Sequence, residues 1–414
     1  MFNIQLKPEY VYAANPDFET FPLSASNEIR QSHILYLNYT DNPERLGDKA
    51  YSKLFWGQSR VAIDYKKMSL GVSTENLWWG PGQYNSLTMS NNAPGFLHFT
   101  LNTKKPIQTS IGSFEGQLIS GKLESSNLDV PEEQYIIDGV NYKQIKSSDW
   151  RYINAFSVNY QPKWVPGLFL GLNRVFQIYH ENLGHTLSDY LPIIMPFQKG
   201  NLSSNEDEIG RDQLASLFFR WVFKESKFEI YAEKGWNDHA ANLWDLFESP
   251  EHSQANLFGL SKIFTLNSDK TKYLKFNFEN TQMQQSADRM VRNSRSWYMH
   301  NPIFHGYTNQ SQVMGAGIGP SGNSQTFDCS LWNKGNVWGV QLERFAHNMD
   351  FYYDAFTIYN QKWVDLNLNT YAYHRFGNLG VQAKLNGTLA RHFQWYYSNT
   401  FNFQLQLGLQ YFLN

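Results

Sequence analysis

The sequence predicts an all-β protein, a single antiparallel transmembrane β-barrel of about 18 strands, on three observations. Apolar residues recur at every second position through most of the chain. Aromatic side chains make up 16% of the 414 residues, and charged ones only 17%, against roughly 25% in ordinary soluble domains. The C-terminal run carries the alternation most plainly: Phe401, Phe403, Leu405, Leu407, Leu409 and Tyr411 fall on one face, and Asn402, Gln404, Gln406, Gly408 and Gln410 on the other. A barrel strand of this kind turns its greasy face to lipid and its amides to the lumen.

In chain order, Phe2, Ile4 and Leu6 already alternate, without the charged and apolar regions of an export leader. Further alternating runs predict strands over 54–65, 68–74, 96–103, 116–123, 153–160, 168–179, 214–223, 228–233, 257–264, 273–282, 326–332, 337–345, 356–363, 365–372, 379–385 and 401–411. A turn at His374-Arg-Phe-Gly377 joins the two strands before the last. No long amphipathic helix interrupts the series, and no apolar stretch reaches the ~18 residues a membrane-spanning helix needs. A tilted membrane strand with its connection takes about 23 residues, which sets the strand count. A soluble sandwich or propeller would carry more Lys and Glu on its polar face, where this chain places Asn, Gln, Ser and Lys. Closure also removes the strand edges that hydrocarbon cannot satisfy.

The net charge is −2, and no dense Lys/Arg run occurs, which argues against nucleic acid as a partner. So many aromatics with so little charge exclude intrinsic disorder. The single cysteine, Cys329, lies in an alternating run and reads as a small buried apolar residue. Longer connections over 79–94, 124–150, 183–211, 235–254, 284–309 and 315–325 are rich in Gly, Pro, Asn and Ser, as surface loops are. Residues 1–414 read as one barrel domain.

Several motifs have a bland reading that outweighs the functional one. Gly317-Ile-Gly-Pro-Ser-Gly322 matches a dinucleotide fingerprint, but a strand-like run follows it where that motif requires a helix, so it reads as a glycine-rich turn. His180-Glu181 with His185 lacks the i, i+4 spacing of a helical metal pair. Asp238-His239 with Glu251-His252 could supply acid–base chemistry, yet such groups in a polar loop more often hold the loop together. No nucleophile elbow is present. Neither a cofactor nor a metal is called for.

The most informative local feature is Trp78-Trp-Gly-Pro-Gly82, followed by Tyr84 and by Ser90-Asn-Asn-Ala-Pro94. A tryptophan pair at a strand end reads first as an interfacial anchor. Aromatic faces with amides nearby also suit sugars, whose C–H faces stack on rings while their hydroxyls take hydrogen bonds. Asn76 to Gly82 with Ser90 to Pro94 resembles the signature of the capsule assembly protein Wzi family, outer-membrane barrels of Gram-negative bacteria. Glu233-Lys-Gly-Trp-Asn-Asp-His239 running on to Pro250-Glu-His-Ser253, His305-Gly-Tyr-Thr308 with Gln312 and Gly315 to Gly319, and Glu343-Arg344 with His347-Asn348 and Asp350 resemble it too.

That resemblance implies an 18-stranded barrel whose external face binds capsular or extracellular polysaccharide, a lectin-like protein and not an enzyme. Family members carry an export signal and a periplasmic helical bundle, and neither is expected here. The first contact candidates are Trp78, Trp79, Tyr84, Asn91 and Asn92, then Trp236, Asn237, Asp238 and His239, then Arg292 and His305. Arg289, Arg292 and Arg295, the one basic bias legible in the sequence, could meet uronates or the lipopolysaccharide of the outer membrane. The expected protein is a monomer. The alternatives are an outer-membrane hydrolase or lyase acting on glycan or lipid through Asp238, His239 and Glu251, and a diffusion porin.

Overall fold

The computed structural model describes residues 1–128, 130–192, 210–237, 248–286, 289, 294–357 and 360–413. One antiparallel ladder organises them. Its strands are β1 (Phe2–Gln5), β2 (Arg60–Tyr65), β3 (Met68–Ser73), β4 (His98–Thr103), β5 (Gly112–Leu123), β6 (Arg151–Pro162), β7 (Leu168–Tyr179) and β8 (Asp212–Phe223). They continue as β9 (Phe228–Trp236), β10 (Gln254–Thr265), β11 (Lys272–Gln282), β12 (Asn323–Asn333), β13 (Asn336–Ala346), β14 (Val364–Phe376), β15 (Leu379–Arg391) and β16 (Thr400–Tyr411). Each pairs with the next in sequence. With the two-residue strand Ile107–Gln108 they make a 17-stranded sheet. β16 runs opposite to β1, as a closing pair must, although no β1–β16 pairing is present among the described residues.

The two faces of the ladder differ as the alternation requires. Leu170, Leu217, Phe258, Phe327, Leu342, Leu368 and Leu405 stand exposed on the outside, whereas Asn173, Ser216, Ser261, Asn277, Thr326 and Asn369 are buried within. The lumen is not only neutral, as the sequence suggested: Glu233, Glu279 and Asp328 are also buried on the inner face. Cys329, read as buried, is half-exposed on the outer wall beside Leu331, Val340 and Trp338. Among the described residues no helix is long and apolar enough to cross a membrane.

Short turns close one end of the ladder and all the long connections emerge at the other, so the long-loop end is extracellular. Exposed Tyr65, Trp164, Phe376 and Tyr411 mark the interface level at the short-turn end.

Three local expectations are corrected. The predicted strand over 54–65 is two elements: Tyr51–Phe55 pairs with Glu9–Ala13 in a separate hairpin, and β2 begins at Arg60. Gly57 divides them, because its φ is +56° and a Cβ there would lie 2.4 Å from the Lys7 carbonyl. The described residues of the run over 356–363 form no strand, for Phe356 closes a short helix and Trp363 stacks on His347 with ring centroids 3.7 Å apart; 358 and 359 lie outside the described residues. The His374–Gly377 turn is tighter than expected; β14 continues to Phe376 and the chain reverses at Gly377, where φ is +58°.

Helix α1 (Asn27–Asn38), absent from the sequence reading, is capped by the Ser26 hydroxyl at the Ile29 amide and buries Ile34 and Leu37. It packs on α2 (Met349–Ala355) at the extracellular end, beside a cluster of Phe21, Phe351, Tyr352 and Trp395.

Candidate functional site

The connection from β3 to β4 does not cap the barrel from outside; it descends into the lumen. Its lowest point is held by one carboxylate. Gln83, Tyr84 and Asn85 donate their backbone N–H groups to Glu279 of β11 at 2.6, 3.2 and 2.8 Å, and the Tyr231 hydroxyl donates to the same group at 3.0 Å. The Gln83 side chain reaches Glu229 and Ser261 at 3.0 Å each, and Asn85 reaches Ser324 at 3.2 Å. Trp79 donates its indole N–H to Gln117 of β5 at 3.0 Å. One short segment thus touches inner faces from β5 to β12, which is possible only because the sheet curls round it.

The glycines of the tryptophan motif follow from this insertion. Gly80 has φ +102°, and a Cβ there would sit 2.7 Å from a Glu233 oxygen; at Gly82 it would sit 2.0 Å from the Asn85 carbonyl.

The connection from β11 to β12 packs on the first plug segment. Trp297, Tyr298, Tyr307 and Met314 bury against Leu87 and Met89 in one apolar cluster. Tyr298 donates to the Leu87 carbonyl at 2.8 Å and accepts from the Ala316 amide at 2.7 Å. Buried Arg151 ties this connection to the wall by donating to the carbonyls of Gly306 and Thr308 at 2.7 and 2.9 Å.

Beside it His305 is buried, with its Nδ1 2.8 Å from the Tyr179 hydroxyl. Burial, together with the Arg151 and Lys146 cations, pushes the imidazole down to about 3. Below its ordinary value of 6.5 only the unfolded chain takes up the proton, so stability should fall as pH drops from about 6.5 towards 3. Between pH 7 and 5 the expected loss is about 2 kcal/mol. Urea unfolding in detergent at the two pH values should show it, and His305→Asn should remove most of the difference; an unchanged pH dependence in the variant would contradict this assignment.

The predicted site residues scatter. Trp79 and Asn237 are buried; Asn237 makes paired hydrogen bonds with the Met299 carbonyl and Tyr298 amide at 3.1 and 3.0 Å. Trp78 is 38% exposed and bonds to the Gly82 carbonyl, and Tyr84 lies half-buried in the lumen. Trp236 points outward with Lys234 over its ring. Asp238, His239 and Arg292 lie outside the described residues.

Two arginines of the sequence's basic cluster are engaged within the chain. Arg289 pairs with Asp354 at 3.0 Å, and Arg295 sits 4.1 Å over the Tyr39 ring. His180 stacks on Trp150, and Glu181 accepts from Ser147, so that motif holds a loop.

Of the described candidates, His305 alone lines a smaller second cleft, while Asn91 and Asn92 come together at an accessible cleft. It has a volume of about 630 Å³ and lies between the Glu9–Ala13/Tyr51–Phe55 hairpin and the mouth of the plug. Tyr51, Phe55 and Trp56 line one side, and Asn76, Asn91, Asn92 and Gln312 the other. Lys53 ties the hairpin to Gln310 at 2.7 Å. A second cleft of about 530 Å³ adjoins it, sharing Ser125, Ser126 and Leu128. Their charged groups are few, and Lys122 and Glu124 are paired at 2.9 Å. Rings facing amides can hold a polyhydroxylated chain by stacking and hydrogen bonds. The hairpin was missed because its strands pair residues some forty positions apart, although the exposed Trp56 was a usable signal.

A family model described as capsule assembly protein Wzi matches residues 1–351. Among solved structures, Escherichia coli Wzi, described as an outer membrane protein involved in group 1 capsule assembly and a carbohydrate-binding β-barrel, superposes with a TM-score of 0.62 at 15% identity. The match covers 85% of this chain and 69% of that one. OccAB4 of Acinetobacter baumannii gives a TM-score of 0.41 at 11% identity, covering 88% of this chain and 75% of that one. OprD of Pseudomonas aeruginosa gives 0.39 at 9%, covering 87% and 78%. No curated protein matches the chain in sequence.

Proposed function

The chain belongs to the capsule assembly protein Wzi family, and from that premise we propose that it is a lectin-like barrel that holds capsular or extracellular polysaccharide at the cell surface and supports capsule assembly. It is an outer-membrane β-barrel. The observation that carries the reading is the extracellular cleft of rings and amides around Trp56, Asn91 and Asn92. Two segments enter the lumen below it and pack on each other in one apolar cluster, which favours capture over diffusion. The role is non-catalytic and the working unit a monomer.

Trp56 is 72% exposed, so its removal should leave the fold intact while taking away a stacking platform. Trp56→Ala with Asn91→Ala is expected to weaken binding of the cognate capsular polysaccharide about tenfold, measured by biolayer interferometry on detergent-solubilised protein. Heat-modifiable electrophoresis checks the fold. Wild-type affinity in that variant would remove the cleft from the proposal, and shortening of the polymer during incubation would favour an enzyme.

A further inference from the structure

Seven short turns join the strands at the periplasmic end, at 66–67, 104–111, 163–167, 224–227, 266–271, 334–335 and 377–378. Six of them carry lysine: Lys66, Lys105, Lys163, Lys224, Lys270 and Lys334 mark one each, and three of these turns hold a second. All nine lysines are exposed. The seventh turn is preceded by exposed Arg375. Against them the turns hold only Glu225 and Asp269. In a chain whose net charge is −2, this is a strong segregation of charge, invisible in the sequence because each turn contributes one or two lysines and the barrel gathers them.

We propose that this lysine-bearing rim binds the anionic headgroups of phospholipids in the inner leaflet of the outer membrane. Three observations favour lipid over a soluble partner. The cations follow the turns round the ladder, facing the surrounding leaflet, where a docked protein would need one contiguous patch. They stand at the aromatic level: the Lys66 ammonium is 5.3 Å over the Tyr65 ring, the Arg375 guanidinium 4.3 Å over Phe412, and Lys163 precedes exposed Trp164. None of the six lysines named makes an ion pair among the described residues, whereas Lys104 is held by Asp64. A lysine ammonium is a compact charge suited to a phosphodiester.

The test uses the whole chain in dodecyl maltoside micelles doped with either phosphatidylglycerol or phosphatidylcholine, with retained lipid counted by native mass spectrometry and unfolding followed by heating. The wild type should retain several-fold more phosphatidylglycerol and unfold at a higher temperature in its presence. Replacing the six lysines with glutamine should abolish both effects. Replacing them with arginine should preserve both, which separates loss of charge from loss of fold. Equal retention of the two lipids by the wild type, or an undiminished preference in the glutamine variant, would overturn the proposal. So would binding of soluble polygalacturonate through these lysines without a phosphatidylglycerol preference, which would assign the rim to a polymer.

Discussion

Glu279→Ala is expected to release the plug while leaving the barrel standing. The carboxylate accepts three backbone N–H groups from consecutive residues and one phenolic O–H, and it is almost completely buried. Removing it strands four donors in a site built to exclude water. Each buried unsatisfied group costs about 1–3 kcal/mol, so the loss is on the order of 5 kcal/mol after partial hydration of the gap.

Three of the four donors belong to residues 83–85 and the backbone pairing of the ladder is untouched, so most of the penalty falls on the segment near residues 79–87. Planar-bilayer recordings should show larger, more frequent openings than the wild type, and limited proteolysis should cut the freed segment. Glu279→Gln should be intermediate, since it keeps one acceptor but brings an NH₂ group against the amides. Wild-type conductance together with protease resistance in the alanine variant would mean that the apolar cluster around Trp297 and Leu87 holds the plug without the carboxylate.

Gly82→Ala should be nearly as damaging, by a different route. Its Cβ would lie 2.0 Å from the Asn85 carbonyl oxygen and 2.8 Å from a Leu257 methyl. The carbonyl cannot retreat, because the Asn85 amide is fixed on Glu279. The overlap is therefore relieved only by pulling the segment off the carboxylate, at a cost of about 3 kcal/mol or more. Gly377→Ala is the informative comparison. That glycine has a positive φ, +58°, which Gly82 does not, but nothing lies within 4 Å of its added Cβ, so it should lose only about 1 kcal/mol. Urea midpoints of the two refolded variants should differ accordingly; equal midpoints would show that the close approach at Gly82 costs no more than the backbone strain at Gly377.

Most strands were legible because each is decided locally. A barrel residue meets either lipid or lumen, so a period of two is written into every membrane strand, and the run over 168–179 coincides with β7. The pattern failed among the described residues of 356–363, where Phe356 and Trp363 pack into or against the cluster above the barrel. It also overlooked α1, whose buried stripe is only a few residues wide.

The site was less legible, for a physical reason visible in particular residues. Trp78 and Trp79 were recognised as important, but nothing near them in sequence says that the loop turns inward, since its acceptor Glu279 lies 196 residues from Gln83. The arginines near residue 290 looked available, yet Arg289 is paired with Asp354. By itself the sequence determined the outer-membrane barrel, its two chemically distinct faces and the family likeness, all of which follow from short-range alternation and contiguous motifs. Only the tertiary structure decided that the tryptophan motif enters the lumen, that a hairpin and a loop mouth form an accessible cleft, and that scattered lysines share one rim. Those features depend on which distant segments meet when the ladder curls, and no local preference encodes that.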